Sequence, residues 1–186
     1  MKKNTLIILF LIFSIYSFSQ CPLEGNGKNT KEKHANFLKN RSIKEKCGAK
    51  ILNIDSLLIV GQDSSRFQDS SYVSIVGYFI EYKPGRSESC NCNSPLDVFH
   101  DVHIYIGKTP DSKKEDCVIC EATPPFKIKF KLDWKNFIGK KVMIEGYLFY
   151  DVEHKGNAKN TCKICTNVWR ATVWEIHPIT CIELIE

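Results

Sequence analysis

Five strand-like segments between residues 72 and 183 constrain the fold most strongly, because two of them are long and carry a central glycine. Residues 72–83 (YVSIVGYFIEYK) and 141–151 (KVMIEGYLFYD) are dense in β-branched and aromatic side chains, which favour strands. Gly77 and Gly146 lie near their centres, and glycine inside a strand indicates a bulge or a sharp bend. Closure of a small barrel requires strands that are bent in this way.

The three remaining segments are shorter. Residues 101–107 (DVHIYIG) alternate strictly, which predicts one buried and one open face. The apolar set is Val102, Ile104 and Ile106, and the opposite set is Asp101, His103 and Tyr105. Residues 116–123 form a further predicted strand that ends at two prolines. Residues 171–183 form the last one, in which Pro178 predicts a break or an edge position.

A change of period between the third and fourth strands predicts a short helix. Residues 132–139 (LDWKNFIG) place apolar side chains at helical spacing, with Asp133 as a possible N-cap and Gly139 as the stop. The resulting order, β-β-β-α-β-β, matches the OB-fold, a mainly β fold built as a small five-stranded Greek-key barrel. An open antiparallel sandwich shares most of these strands and is the alternative.

The first residues indicate export. Two lysines precede an apolar run over residues 6–15, and Ser17-Phe18-Ser19 provides the small residues that a signal peptidase reads. We therefore expect residues 1–19 to be a signal peptide and the mature protein to be secreted or periplasmic. No later segment is apolar enough to cross a membrane.

A lipoprotein is the alternative for this segment, because Cys21 follows the apolar run where a lipid-modified cysteine would stand. The residue before it is Gln20, and Phe18 stands three positions before it. A lipid-attachment motif has a small residue and a branched aliphatic residue at these positions, so an ordinary signal peptide is favoured.

Residues 20–71 form an N-terminal extension, and residues 72–186 form the predicted barrel domain. Within the extension, residues 29–41 favour a short helix and residues 61–71, rich in serine and aspartate, a loop. The formal net charge is +5, from 26 basic and 21 acidic residues. Such a mild excess is a weak indication of a nucleic-acid partner, since dedicated binders concentrate basic residues on one face.

Nine cysteines in an exported chain predict disulfides, with at least one sulfur left over. Cys90 and Cys92 fall between the first two strands, and Cys162 and Cys165 between the last two. In an OB barrel these two loops flank the same ligand-binding face. The four sulfurs therefore predict either disulfide cross-links or, as the alternative, a zinc site. A second Cys-x-x-C pair, at 117 and 120, lies on a predicted strand, where residues three apart point to opposite faces. We therefore expect one thiol to be buried and the other to form a disulfide elsewhere, with Cys181 as a candidate partner.

Histidines, carboxylates and aromatic residues near the strands are the candidate ligand-binding groups. The predicted set is Asp101, His103, Tyr105, Tyr150, His154, Trp174 and His177. Histidine beside carboxylate suits metal binding or acid–base chemistry, so a metal-dependent hydrolase using His103, His154 and His177 is an alternative function. The structural interpretation is that these groups are hydrogen-bonded within the fold.

Three segments carry a resemblance to known proteins: HDVHIYIG (100–107), GYLFYD followed by EH (146–154), and WRATVWEIHPIT (169–180). They resemble a group of exported bacterial proteins whose core is similar to an OB-fold. The resemblance spans about residues 72–183 and implies export and a barrel, but no activity.

The sequence thus predicts an exported OB-type ligand-binding module and favours a binding protein over an enzyme. An envelope protein, a glycan or a single-stranded nucleic acid are the candidate partners. No cofactor is predicted beyond the alternative of zinc at the cysteines.

Overall fold

The computed structural model describes residues 21–43, 48–61 and 64–185. The predicted signal peptide and Cys47 lie outside this range. Within it, none of the helices has the length and apolarity needed to span a bilayer.

In the described residues, six strands form one sheet with the order β1-β2-β3-β4-β6-β5, and β5 pairs back onto β2. The strands are β1 (Lys50–Ile51), β2 (Tyr72–Pro84), β3 (Val102–Gly107), β4 (Val118–Ala122), β5 (Lys141–Tyr150) and β6 (Trp174–Leu184). Strands β2 to β6 close into a barrel in which β4 and β6 are parallel and every other neighbouring pair is antiparallel. The predicted OB-like barrel is confirmed, and the open sandwich is excluded.

Strand β2 closes the barrel because it pairs with two different strands along its length. Its first half pairs with β5, from Tyr72 to Tyr78, and its second half pairs with β3, from Tyr78 to Pro84. Gly77 lies at the crossing, where a Cβ atom would come within 2.6 Å of Ile106 Cγ2 and 2.8 Å of the Gly107 carbonyl oxygen. The central glycine is therefore required by a close approach of two strands.

Three α-helices lie in the part of the chain that the structure describes: α1 (Thr30–Lys39), α2 (Ile54–Leu58) and α3 (Pro124–Phe130). Helix α1 confirms the short helix of the extension, and the Asn29 side chain caps it by accepting a hydrogen bond from the Glu32 amide.

The helix between the third and fourth barrel strands begins earlier than predicted. Pro124 and the next proline, which we expected only to end a strand, stand in the first turn of α3, where proline is well tolerated. The predicted segment forms a 3-10 turn over Trp134–Phe137 that Asp133 caps. Both pieces close one end of the barrel, since Phe126 is buried in the core and Trp134 packs against it.

Strand β6 continues through Pro178 instead of breaking there, with a cis peptide bond after His177. Ile176 pairs with Leu148 and Ile179 with Gly146, so two residues of β6 stand opposite one of β5. This is a bulge, one of the few places in a sheet where proline is accepted.

The outer face of β3 and β4 is covered, which the strict alternation of residues 101–107 did not predict. Tyr105 is fully buried and packs with Cys117 and Ile119, against which Ile80 and Trp169 also lie. The opposite set, including Ile104, fills the barrel core as predicted. An alternating strand therefore has both faces buried, because loops from distant parts of the chain lie over it.

Candidate functional site

A network of charged side chains lies buried outside the barrel, between its strands and the N-terminal extension. Glu121 comes from β4, and Glu175 and His177 come from β6, where residues two apart share a face. The buried acidic and basic members are Asp151, Glu121, Glu175, Arg170, His177 and Lys39. Asp101, just before β3, completes it at the edge, with 12% of its side chain exposed.

Arg170 organises one half of the network. Its side chain is 1% exposed and donates to Asp151 Oδ2 at 2.8 Å and to Glu175 Oε2 at 2.9 Å. Its Nε atom donates to the Thr172 carbonyl oxygen at 2.8 Å. Burial lowers the pKa of Arg170, but the two carboxylates more than reverse this and raise it. A guanidinium with five donors suits this position, because each of its nitrogens finds an acceptor.

His177 organises the other half and is fully buried. Its Nδ1 atom lies 3.0 Å from Glu175 Oε1 and 3.3 Å from Glu121 Oε2, and its Nε2 atom lies 3.1 Å from Asp101 Oδ2. Burial alone would lower the pKa of His177, but these three carboxylates raise it to about 10. Burial and the charge of Glu175 in turn raise the pKa of Glu121 well above its usual value.

Three further groups attach to this network. Lys39 of α1 lies 3.4 Å from Glu88, whose charge overcomes burial and raises the pKa of Lys39 well above its usual value. His103 Nε2 lies 3.4 Å from Glu121 Oε1, and burial lowers the pKa of His103. His154 Nδ1 lies 2.5 Å from Asp151 Oδ2 at the outer end.

The predicted ligand-binding residues separate into two groups. Asp101, His103 and His177 come together, whereas in the described residues His154 is connected to them through Asp151, Arg170 and Glu175. In the described residues, the cluster whose ligand atoms approach closely enough for a metal is Asp101, Glu121 and His177. The proposed three-histidine constellation of a hydrolase does not form.

The aromatic predictions fall mostly inside the protein. Trp174 is 1% exposed and belongs to the barrel core, where Phe67 packs edge-on against it at 5.5 Å. Tyr105 is buried as well, so neither ring reaches a ligand on the surface. Tyr150 is partly exposed and packs on Trp174 at 5.0 Å.

Arg170 was not among the site residues predicted from the sequence. The available signal was a charged residue between Trp169 and Ala171 at the start of a mostly apolar run, where burial requires a partner.

A groove of about 820 Å³ opens beside the network. Its walls are α1, the loop between β2 and β3, and the start of the loop between β5 and β6. Lys39 and Asp151 belong both to the groove and to the network. Phe149 and Tyr150 form part of the lining, and Phe149 lies beneath the Lys39 ammonium at 5.7 Å.

The predicted disulfides form, although one of them includes a sulfur from outside the four-cysteine set. Cys92 bonds to Cys21, and Cys162 bonds to Cys165, which leaves Cys90 as a buried free thiol. The four-sulfur zinc site is therefore wrong, because three of its sulfurs are oxidised. Spacing along the chain does not determine connectivity.

The Cys117 and Cys120 thiols lie on opposite sides of β4, as the strand period predicted. Both are buried free thiols, so the expectation that one pairs with Cys181 is wrong. Each fills space as a small apolar side chain.

Comparison with known proteins gives little beyond this geometry. No protein-family model and no curated protein matches the sequence. Among solved structures, the crystal structure of yeast Stn1 and Ten1 is similar, with 14% sequence identity and a TM-score of 0.41. The match covers 75% of this chain and 64% of the yeast chain, less than two thirds of its length.

Proposed function

We propose that this protein is an exported OB-type binding module that holds its ligand in the groove beside α1. The observation that carries the proposal is the position of the groove. Its walls include Glu88 and Ser89 from the loop between the first two barrel strands, and Val152 and Glu153 from the loop between the last two. OB-folds use these two loops to bind ligands.

The charges of the groove favour an uncharged, polar ligand such as a glycan. Its lining contains three lysines and five acidic residues, whereas a surface that binds a nucleic acid carries an excess of basic residues. The lysines are Lys28, Lys31 and Lys39, and the acidic residues are Glu32, Asp69, Glu88, Asp151 and Glu153. Carboxylates and amides, with an adjoining aromatic ring, provide the hydrogen bonds and apolar contact that sugar rings need.

The groove is held rigid before any ligand binds. Asn40 Nδ2 donates to the Cys90 carbonyl oxygen at 2.8 Å, and Asn36 Nδ2 donates to Ser89 Oγ at 3.1 Å. The Cys21–Cys92 disulfide bonds the segment before α1 to the same loop between β2 and β3. A site that is ordered in advance loses less conformational entropy on binding.

Export is supported by the two disulfides, since such bonds persist in oxidising compartments. The sulfur of Cys21 is bonded to Cys92 and is not available for a thioether to lipid in the same molecule. The ordinary signal peptide is therefore the version that we propose. Burial raises the pKa of the Cys117 thiol to about 12, which keeps this free thiol unreactive in the same environment.

The groove is tested by titrating chito-, manno- and malto-oligosaccharides, and separately a twelve-residue oligothymidylate, at physiological salt. We expect the NMR chemical shifts of the protein to change in a saturable way with one of the three sugar series. The double variant Asp69→Asn/Glu153→Gln alters two exposed carboxylates of the groove. It should lower the affinity for that sugar about tenfold, because one or two hydrogen bonds are lost. Asp111→Asn, an exposed site outside the groove, is the matched control. Tight binding of the oligonucleotide alone would contradict the proposed ligand class.

Export is tested by expressing the full chain in a bacterium and measuring the intact mass of the protein recovered outside the cytoplasm. Removal of residues 1–19 without added lipid is the expected result. An uncleaved chain in the cytoplasm, or a diacylglycerol adduct on Cys21, would overturn this part of the proposal.

A further inference from the structure

We propose that Asp101, Glu121 and His177 form a binding site for a divalent transition-metal ion. Each side chain offers one ligand atom, and these atoms all lie within 4.8 Å of one another. Bonds of roughly 2.0–2.2 Å to a metal place its ligand atoms up to about 4.4 Å apart, so a small inward movement completes the site. The three residues lie on or next to β3, β4 and β6, which hold their backbones in a closed barrel.

A second observation points to a ligand at this position. The fully buried Nε2 atom of His177 makes no hydrogen bond of standard geometry within the described residues, and Asp101 Oδ2 lies 3.1 Å from it. Buried polar atoms without a partner are rare in folded proteins and call for a ligand or an ion.

The opposite edge of the ring is already arranged as in metal-binding histidines. Nδ1 lies 3.0 Å from Glu175 Oε1, and Arg170 holds the other oxygen of Glu175 at 2.9 Å. Glu121 Oε2 also lies 3.3 Å from Nδ1, so metal binding at Nε2 requires the Glu121 carboxylate to turn toward the ion and leaves Nδ1 to Glu175. Histidine ligands characteristically donate from their free nitrogen to a carboxylate that other groups hold in place. This contact fixes the orientation of the His177 ring.

Formal charge favours a divalent ion. Four carboxylates have side chains no more than 12% exposed, namely Asp101, Glu121, Asp151 and Glu175. The permanent cations buried among them are Arg170 and Lys39, which leaves two negative charges without a permanent partner. Glu88, which lies 3.4 Å from Lys39, is not counted among the buried carboxylates because 35% of its side chain is exposed. An uncompensated buried charge is costly, so either two protons or one divalent ion must balance these two charges.

The types of ligand atom in this site indicate which metals it would bind. One imidazole nitrogen with two carboxylate oxygens suits zinc, manganese or iron in the divalent state, whereas calcium and magnesium prefer oxygen alone. The site is separate from the groove, whose lining does not include these three residues.

The experiment uses the purified, disulfide-intact protein, treated with EDTA, desalted and titrated calorimetrically with ZnCl₂ and with MnCl₂. We expect one ion per chain, and a loss of about tenfold or more in affinity in Asp101→Asn, which preserves size and removes the charge. His34→Gln, at an exposed histidine of α1, is the matched control and should bind as the unaltered protein does.

A spectroscopic measurement on the unaltered protein keeps the test decisive if Asp101→Asn fails to fold. Zinc should shift the ring-nitrogen resonances of His177 and leave those of His34 unchanged. The proposal is overturned if no stoichiometric binding occurs, which would mean that protons alone neutralise the network, or if His34→Gln abolishes binding, which would mean an adventitious surface ion only. Loss of sugar binding in the groove variants would leave this result unaffected.

Discussion

Replacing Arg170 by methionine should destabilise the protein more than any substitution of an exposed charge. Arg170→Met retains most of the side-chain volume but leaves Asp151 and Glu175 buried without their cation. Removing one partner of a buried ion pair costs about 3–5 kcal/mol. With a urea m-value of roughly 2 kcal/mol/M, the unfolding midpoint should fall by about 1.5–2.5 M. Unfolding followed by tryptophan fluorescence measures this, because Trp174 is buried in the core.

The matched control is Lys159→Met, which removes an ion pair of similar length at the surface. Lys159 Nζ lies 2.6 Å from Asp116 Oδ1, and both side chains are about half exposed. Such pairs contribute about 0.2–1 kcal/mol, so the midpoint should fall by less than about 0.5 M. The penalty in Arg170→Met should also shrink toward low pH, where protonation neutralises the two carboxylates. Equal losses in the two variants, or a penalty independent of pH, would refute the reasoning.

Three further predictions follow from the same structure. In the metal-free protein the pKa of His177 is raised from 6.5 to about 10, so its contribution to stability is complete below pH 6.5 and is lost as pH rises through 10. The urea midpoint of EDTA-treated protein should therefore decline between pH 7 and 10, and it should decline less in His177→Gln. Gly146→Ala should cost about 1–3 kcal/mol in urea unfolding, since its Cβ would lie 2.4 Å from a backbone oxygen, whereas Gly156→Ala, with nothing within 4 Å, should not. Replacing Cys21 and Cys92 by serine opens a 71-residue loop and should lower stability by about 4 kcal/mol, measured by thermal unfolding; an unchanged melting temperature would show that α1 is held without the bond.

The barrel was predictable because its signal is local. The glycines at 77 and 146 and the alternation of Val102, Ile104 and Ile106 report on pairing within and between neighbouring strands, and the structure places all three apolar residues in the core. Helix α3 was missed for an equally local reason. Two prolines were interpreted as the end of a strand, although proline at the first turn begins many helices.

The site was predictable only in part, because its partners are remote in the chain. Asp101 and His103 were recognised at β3. The partner of His103 is Glu121 on the next strand, and the partner of Asp101 is His177, more than seventy residues further along the chain. Burial by the extension and by the loop before β6 is what turns a polar strand face into an enclosed network. A pattern with a period of two residues reports which side of the strand a group occupies, and not what later covers it.

The closed strand pairing also sets how the protein should be attached to a surface. Cys21 is bonded to Cys92, next to Asn93 in the groove wall. The last described residues run beside β5, where the Ile185 amide donates to the Lys141 carbonyl oxygen, nine residues and about 30 Å of strand away from Tyr150. A biotin or fluorophore joined at the carboxyl end therefore lies at the far end of β5 from the groove, whereas one joined at Cys21 would lie next to the groove wall.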